Sequence, residues 1–179
     1  MKIKTSLLSM IIGSAISMNA TAAPGNVGTI NFIGSITDTT CDFVGEQDGV
    51  QGNTIDLGTY TVAEVNADGT GVKDFALVGR KGGTICEIGD AGSVDISWVP
   101  AAGAWNAAGL VNTGTANGAA VKLMDKTGNV FNALNDTVNY VKADAADGKL
   151  PFKAQMVSIA GAATAGTVIS AAKFSVAYK

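Results

Sequence analysis

Few residues in this chain combine a type and a spacing that could support catalysis. The 179 residues include no histidine, so the commonest general base and zinc ligand is missing. The sequence also lacks a Gly-x-Ser-x-Gly nucleophile motif and a phosphate-binding loop. Paired carboxylates could serve a glycosidase in principle, but the sequence alone does not assign any two of them to a cleft. We therefore expect a protein that is not an enzyme and that needs no cofactor.

One acidic stretch partly matches a calcium-binding loop. Glu64, Asn66 and Asp68 are spaced two residues apart and are followed by Gly69, as in the first half of such a loop. Phe75 occupies the place of the bidentate carboxylate that would complete the coordination of the metal. The stretch is therefore interpreted as a turn, and no metal site is expected.

The first residues predict that the chain is exported. Lys2 and Lys4 precede an apolar stretch over residues 7–16, which is too short to span a membrane and leads into small residues. This pattern is typical of a secretory signal peptide, residues 1–22, with cleavage after Ala22. Cleavage one residue later would place Pro24 at the new N-terminus, where a proline fits a protease subsite poorly.

Two cysteines, Cys41 and Cys86, would enter an oxidising compartment after export. An isolated pair there usually forms one disulfide bond. A redox pair normally has the spacing Cys-x-x-Cys, and a zinc site would need further ligands that a chain without histidine cannot easily supply. Closing a loop of this size would stabilise the fold by about 4 kcal/mol on the chain-entropy model.

Composition favours one soluble domain after cleavage of the signal peptide. The remaining length suits a single domain with its own core, and no second hydrophobic span follows. The net charge of −3 includes two signal-peptide lysines, so the mature chain is more acidic still. Because no basic residues cluster, we expect no nucleic-acid partner.

Alternating apolar and polar residues predict an all-β fold, because a strand with one face on a core repeats every two residues. The clearest run is at the C-terminus, where every second residue from Gly166 to Tyr178 shares one side and predicts a long terminal strand. Strands are also predicted around residues 30–36, 75–77, 94–98, 121–123, 138–140 and 152–156. Glycine-rich turns separate them, a helical turn could occur at 60–65, and residues 101–119 form a long loop or strands with small side chains. Together these strands fit an antiparallel sandwich of two sheets.

Five segments in order resemble the major fimbrial subunits of the bacterial chaperone-usher pathway, the type 1 pilin-like family. The resemblance covers essentially the whole mature chain. The segments are Gly28-Thr29-Ile30-Asn31-Phe32-Ile33-Gly34-Ser35-Ile36 before Cys41, Ile55-Asp56-Leu57-Gly58, Phe75-Ala76-Leu77 before Cys86, Leu150-Pro151-Phe152-Lys153-Ala154, and a penultimate Tyr178 with Gly166 near the end.

The resemblance implies an incomplete immunoglobulin-like sandwich that is completed by donor-strand exchange. In that family a periplasmic chaperone, and then a neighbouring pilin subunit, fills the groove left by a missing strand, and an outer-membrane usher receives the subunits. Residues 23–40 would be the N-terminal donor extension, with residues 27–38 as the donor strand, and residues 41–179 would be the pilin domain. Its donor residues would be Ile30, Phe32, Gly34 and Ile36. The acceptor groove and chaperone contact would include Gly166, Val168, Phe174, Val176 and Tyr178.

The function implied is that of a structural shaft subunit, exported through the periplasm to a cell-surface fimbria that supports bacterial adhesion. Two alternatives stay open on the sequence: a minor adaptor or terminator pilin, and a secreted immunoglobulin-like binding module that acts as a monomer. Trp98 and Trp105 could stack on a sugar. A buried core position is the favoured interpretation for Trp98, while Trp105 stays open.

Overall fold

Strands account for nearly all regular structure in the part of the chain that the computed structural model describes, residues 41–68, 70–88 and 92–179. The predicted signal peptide and donor extension, residues 1–40, lie outside these described residues. The strands are β1 (Asp42–Gln47), β2 (Val50–Gly52), β3 (Lys73–Lys81), β4 (Thr84–Ile85), β5 (Ser93–Pro100), β6 (Trp105–Asn106), β7 (Gly109–Val111), β8 (Ala119–Met124), β9 (Thr137–Val141), β10 (Lys149–Ser158) and β11 (Ala172–Tyr178).

Sheet A contains eight of these strands, in the order β2-β1-β3-β10-β8-β7-β6, with β4 paired to the end of β3. Every pairing is antiparallel. Asp48 and Gly49, which join β1 to β2, both have positive φ, as a tight hairpin turn requires. Gly82 and Gly83, which belong to one of the glycine-rich turns, join β3 to β4 in the same way.

Sheet B has the order β11-β5-β9 in the described residues and is also antiparallel. Strand β5 lies in the middle, and its alternating residues Val94, Ile96 and Trp98 are buried on the face that packs on the core. β11 pairs with β5 over its whole length, from Ala172 opposite Pro100 to Tyr178 opposite Val94. The last strand of the chain is therefore an edge strand in the described part of the protein.

The inward side chains of the two sheets share one hydrophobic core. Its centre is Phe152, whose ring centroid lies 5.2 Å from Trp98, 5.5 Å from Tyr140 and 5.6 Å from Phe75. The contacts with Trp98 and Tyr140 are edge-on and the contact with Phe75 is stacked. Offset-stacked and edge-on arrangements both suit the charge distribution of aromatic rings. The predicted strands around residues 75–77, 94–98, 121–123, 138–140 and 152–156 all contribute to this core, so the predicted all-β, immunoglobulin-like sandwich is confirmed. Trp98 is buried, as expected, and Trp105 is half-buried against the same core.

Helical structure in the described residues is short. The helical turn predicted at 60–65 is α1 (Val62–Asn66), which begins at a capping box formed by Thr61 and Glu64. Two 3₁₀ turns, Lys142–Asp144 and Ala146–Gly148, connect β9 to β10. None of these helices has the length and apolar character needed to cross a membrane.

The disulfide predicted between Cys41 and Cys86 is confirmed, with the two Cα atoms 6.2 Å apart. Cys41 lies immediately before β1, and Cys86 follows β4. A Cβ atom on Gly79 would lie 2.9 Å from the Phe43 ring, so this glycine lets the ring pack beside the disulfide. The bond therefore fixes the start of the described chain to the end of the β3–β4 hairpin.

The terminal strand is shorter than the sequence predicts. Regular β11 begins at Ala172, although alternate exposure continues back to Val168. Upstream of β11 the backbone is held by side chains as well as by main-chain pairs: Asn112 accepts from the N–H of Ile169 at 2.7 Å, and Thr115 accepts from that of Thr167 at 2.9 Å. The chain therefore stays extended there without forming a regular ladder.

Candidate functional site

The residues predicted for the acceptor groove lie along β11 and the segment before it. In this strand Phe174, Val176 and Tyr178 face inward and are half-buried, while Lys173, Ser175 and Ala177 face outward. The inward three, together with Val168, pack against the hydrophobic core. One edge of β11 pairs with β5, and no strand of the described residues pairs with its other edge. We call this row, Gly166, Val168, Phe174, Val176 and Tyr178, the acceptor row.

Phe174 and Trp98 connect the acceptor row to the centre of the core. Their ring centroids are 5.4 Å apart with an angle of 62° between the planes. Trp98 is 5% exposed, and its indole Nε1 has no hydrogen-bond partner in the described residues. The contact could not be predicted from sequence, because alternation places both rings inward but does not give the register between the strands.

Tyr178 ends the acceptor row beside the disulfide. It lines a small crevice with Phe43 and Cys86. Its buried hydroxyl makes no hydrogen bond of normal geometry in the described part of the chain. Burial raises the pKa of Tyr178, and the nearby backbone of Cys41 opposes that rise. Cys41, which directly follows the predicted donor extension, therefore lies close to the end of β11.

Gly166 begins the acceptor row at the opposite end. Its φ is +154°, and a Cβ atom there would lie 2.4 Å from the backbone nitrogen of Ala116, so a larger residue would not fit. Beside it is a cavity of about 240 Å³. Residues lining the cavity include Tyr60, Val65, Ala119, Met156, Ala163 and Val168. Val168 packs against both this cluster and the main core, so the cavity adjoins the acceptor row.

The donor residues Ile30, Phe32, Gly34 and Ile36 lie outside the described residues. The structure places the predicted acceptor residues along β11 and the segment before it. Their role as an acceptor groove and the donor strand both stay predictions.

Two carboxylates of the described residues, Asp95 and Asp125, are held by hydrogen bonds within the scaffold. A hydrogen bond from Asn139 and an ion pair with Lys179 lower the pKa of Asp95. Burial works to raise the pKa of Asp125, but hydrogen bonds from Thr127 and Asn129 outweigh it, and the pKa is lowered. No group of three or more metal-ligating side chains occurs in the regions described.

The sequence predicts a turn at Thr127-Gly128-Asn129, but the role of Asp125 in holding that turn is new from the structure. Asp125 accepts hydrogen bonds from the backbone N–H groups of Thr127 and Asn129, at 2.8 and 2.9 Å, and from both of their side chains. The Asp-x-Thr-x-Asn spacing is a signal that could have found it, because Asp side chains accept from backbone groups two residues ahead in tight turns.

Comparisons with known proteins agree with this geometry. The family model described as "Fimbrial protein" matches residues 30–179. The K99 fimbrial protein of Escherichia coli is 38% identical over 117 residues, which cover 65% of this chain and 59% of that relative. The F107 fimbrial protein of Escherichia coli is 32% identical over 171 residues, which cover 92% of this chain and 94% of that relative.

Among solved structures, the P pilus rod subunit PapA has a TM-score of 0.55 with 17% sequence identity. The match covers 86% of this chain and all of that one. At this identity the likeness concerns the fold alone.

Proposed function

The chain belongs to the fimbrial protein family, and on that premise we propose that it is a shaft subunit that polymerises by donor-strand exchange. In this proposal a periplasmic chaperone first lends a strand to the acceptor row and delivers the subunit to an outer-membrane usher. The N-terminal segment of a neighbouring subunit then replaces the chaperone strand. The resulting cell-surface filament supports bacterial adhesion, and the role of this chain in it is structural.

The observation that carries the proposal is the position of β11. An edge strand with an inward apolar row offers backbone groups and side-chain contacts to an added strand. Phe174, Val176 and Tyr178 are half-buried. They contact the core on one side, and an added strand would bury the surface that is still exposed to solvent. An incoming strand would supply both the missing ladder and the missing apolar cover.

The proposed donor has side chains suited to this row. In an extended strand Ile30, Phe32 and Ile36 share one side, with Gly34 between them. Burying three large apolar side chains would contribute roughly 1.5 to 3 kcal/mol each, in addition to the main-chain hydrogen bonds. Because each subunit donates at one place and accepts at another, the contacts are head-to-tail and extend into an open filament.

Deletion of residues 27–38 tests the proposal. We expect the shortened subunit to accumulate in complex with its chaperone, to keep its disulfide, and to be absent from filaments in electron micrographs. A chain lacking residues 23–26 is the matched control and should assemble. Filaments built from the chain without residues 27–38 would refute the proposal, and failure of that chain to accumulate would favour a monomeric module that needs the segment for its own fold.

A further inference from the structure

The outward side of sheet B carries an apolar patch at one end. Three of the exposed large hydrophobic residues lie at this end: Val99 in β5 is 48% exposed, Ile169 before β11 is 57% exposed, and Leu134 in the turn before β9 is 99% exposed. A patch of apolar side chains on a soluble surface often marks a contact site. We define the outer patch as Val99, Leu134, Asp136, Ile169, Ala171 and Lys173.

Strand register places these residues across the sheet. On one side of β5, Lys173 pairs with Val99, and two residues further along the Ala101 N–H donates to the Ala171 carbonyl at 2.8 Å. Exposure alternates from Val168 to Lys179, so Ile169, Ala171 and Lys173 share the outward side. The patch therefore continues along the β11 side of the sheet.

On the other side of β5, the Trp98 N–H donates to the Asp136 carbonyl at 2.7 Å. Asp136 stands opposite the inward Trp98 and is half-buried, but the outward hydroxyl of Thr137 donates to its carboxylate at 2.8 Å, so this negative charge reaches the outer side at the edge of the sheet. Two strand spacings, roughly 10 Å, separate it from the positive charge of Lys173. The patch thus has an apolar centre with opposite charges at its two sides.

Leu134 is presented on a rigid turn. The Asn132 side chain accepts from the N–H groups of Leu134 and Asn135, at 2.9 and 3.1 Å, and the backbones of Asn132 and Asn135 bond each other in both directions. The amide of Asn135 also donates to the Val130 carbonyl at 3.3 Å. Since the turn is already ordered, binding through Leu134 would lose little conformational entropy.

We propose that the outer patch binds the same patch on a second copy of this chain in a neighbouring filament. A two-fold axis parallel to β5 and midway between two facing copies sets Lys173 of each copy opposite Asp136 of the other. The same rotation sets Leu134 of one copy opposite Ala171 and Ile169, on the β11 side of the other copy. A surface with this distribution of charge is complementary to itself, as a two-fold contact requires.

The contact joins filaments and not successive subunits. Subunits along a head-to-tail filament are related by a translation, which a two-fold rotation lacks. One such contact is weak, because exposed ion pairs contribute little. It is repeated in every subunit, so two filaments lying side by side would bind through many copies at once. The inference depends on the proposed function only in requiring that filaments form.

Charge exchange on purified fimbriae tests the contact. Wild-type fimbriae at low ionic strength should associate side by side, pellet at low speed, and separate as salt is added. Asp136→Lys and Lys173→Asp should each reduce the pelleted fraction by roughly threefold or more, and the double variant should restore it. Leu134→Ser should also reduce it. Asp74→Lys and Val50→Ser, on sheet A and the β1–β2 hairpin, are matched controls and should pellet like wild type.

The side-by-side association of filaments, or bundling, is measured on filaments that have already formed. The deletion of residues 27–38 instead tests whether filaments form at all. The proposed function and the proposed contact can therefore be refuted independently. Wild-type filaments that stay single at low ionic strength would overturn the inference. The inference would also be overturned if the single charge reversals left the pelleted fraction unchanged, or if the double variant did not restore it. If a charge reversal prevents filament assembly, the neutral variants Asp136→Asn and Lys173→Gln are used in its place. We expect these variants to reduce bundling, and unchanged bundling would contradict the inference.

Discussion

Phe174 packs edge-on against Trp98, with ring centroids 5.4 Å apart, so the acceptor row and the core form one packed unit. Phe174→Ala should therefore weaken the packing of the acceptor row and the packing of the core. We expect a loss of about 2 to 3 kcal/mol, below the range for a fully buried phenylalanine because Phe174 is half-buried. The urea midpoint of assembled filaments, followed by tryptophan fluorescence, measures this loss. Ser175→Ala, on the outward side of the same strand, is the control, and an equal midpoint for both variants would contradict the assignment.

Gly34→Arg should block polymerisation while the subunit still folds. Gly34 lies on the proposed inward side of the donor strand, where an arginine would clash with the acceptor row of the neighbour and bury a charge. The disulfide and the chaperone complex should be unaffected, as judged by mass and by co-purification. Ser35→Arg, on the opposite side of an extended strand, should assemble. Normal filament yield from Gly34→Arg would count against the predicted register.

Removing the disulfide should destabilise the subunit strongly. Cys41 and Cys86 are 45 positions apart, and a loop of this size corresponds to about 4 kcal/mol in the chain-entropy model. We expect the double variant Cys41→Ser, Cys86→Ser to accumulate poorly and to be cleaved faster by added protease. A loss of less than about 1 kcal/mol would show that the unfolded chain is already restricted by other means.

Asp125 should make stability depend on pH. Its pKa in the folded protein lies below the ordinary value of 3.8, so its contribution is fully present above about pH 4 and is lost as the pH falls through the lowered value. Asp125→Asn would set an amide group against donors from Thr127 and Asn129, at a cost of about 1 to 3 kcal/mol at neutral pH. The difference in thermal unfolding midpoint between Asp125→Asn and the wild type should become smaller as the pH is lowered. Asp48→Asn, in the exposed β1–β2 turn, is the control, and a difference that stays constant with pH would contradict the assignment.

Alternation in the sequence was enough to predict most of the strands that form the core. It worked for segments such as Val94 to Trp98 because burial on one face imposes a period of two. It overextended β11, since Asn112 and Thr115 satisfy backbone groups upstream of Ala172 that a ladder would otherwise bond. Such side-chain substitutes for the ladder depend on which segments lie adjacent, and local sequence does not contain that information.

The candidate site could be predicted only in part for a similar reason. The acceptor row follows from the period of the last strand, and the disulfide follows from export and the number of cysteines. The outer patch depends on the order of β11, β5 and β9 in sheet B, which brings Lys173 and Asp136 to the two sides of one surface. Nothing in the spacing of those two residues along the chain indicates that they share a face.

The position of the disulfide has a mechanical consequence for the proposed filament. A pull on the donor strand of one subunit would enter that subunit at Cys41, and its acceptor row, which holds the next donor, ends close by at Tyr178. The covalent bond to Cys86 would stop this tension from peeling β1 away from β3. The stretched fibre would then yield first by strands sliding past one another at the joints, with each sandwich kept intact.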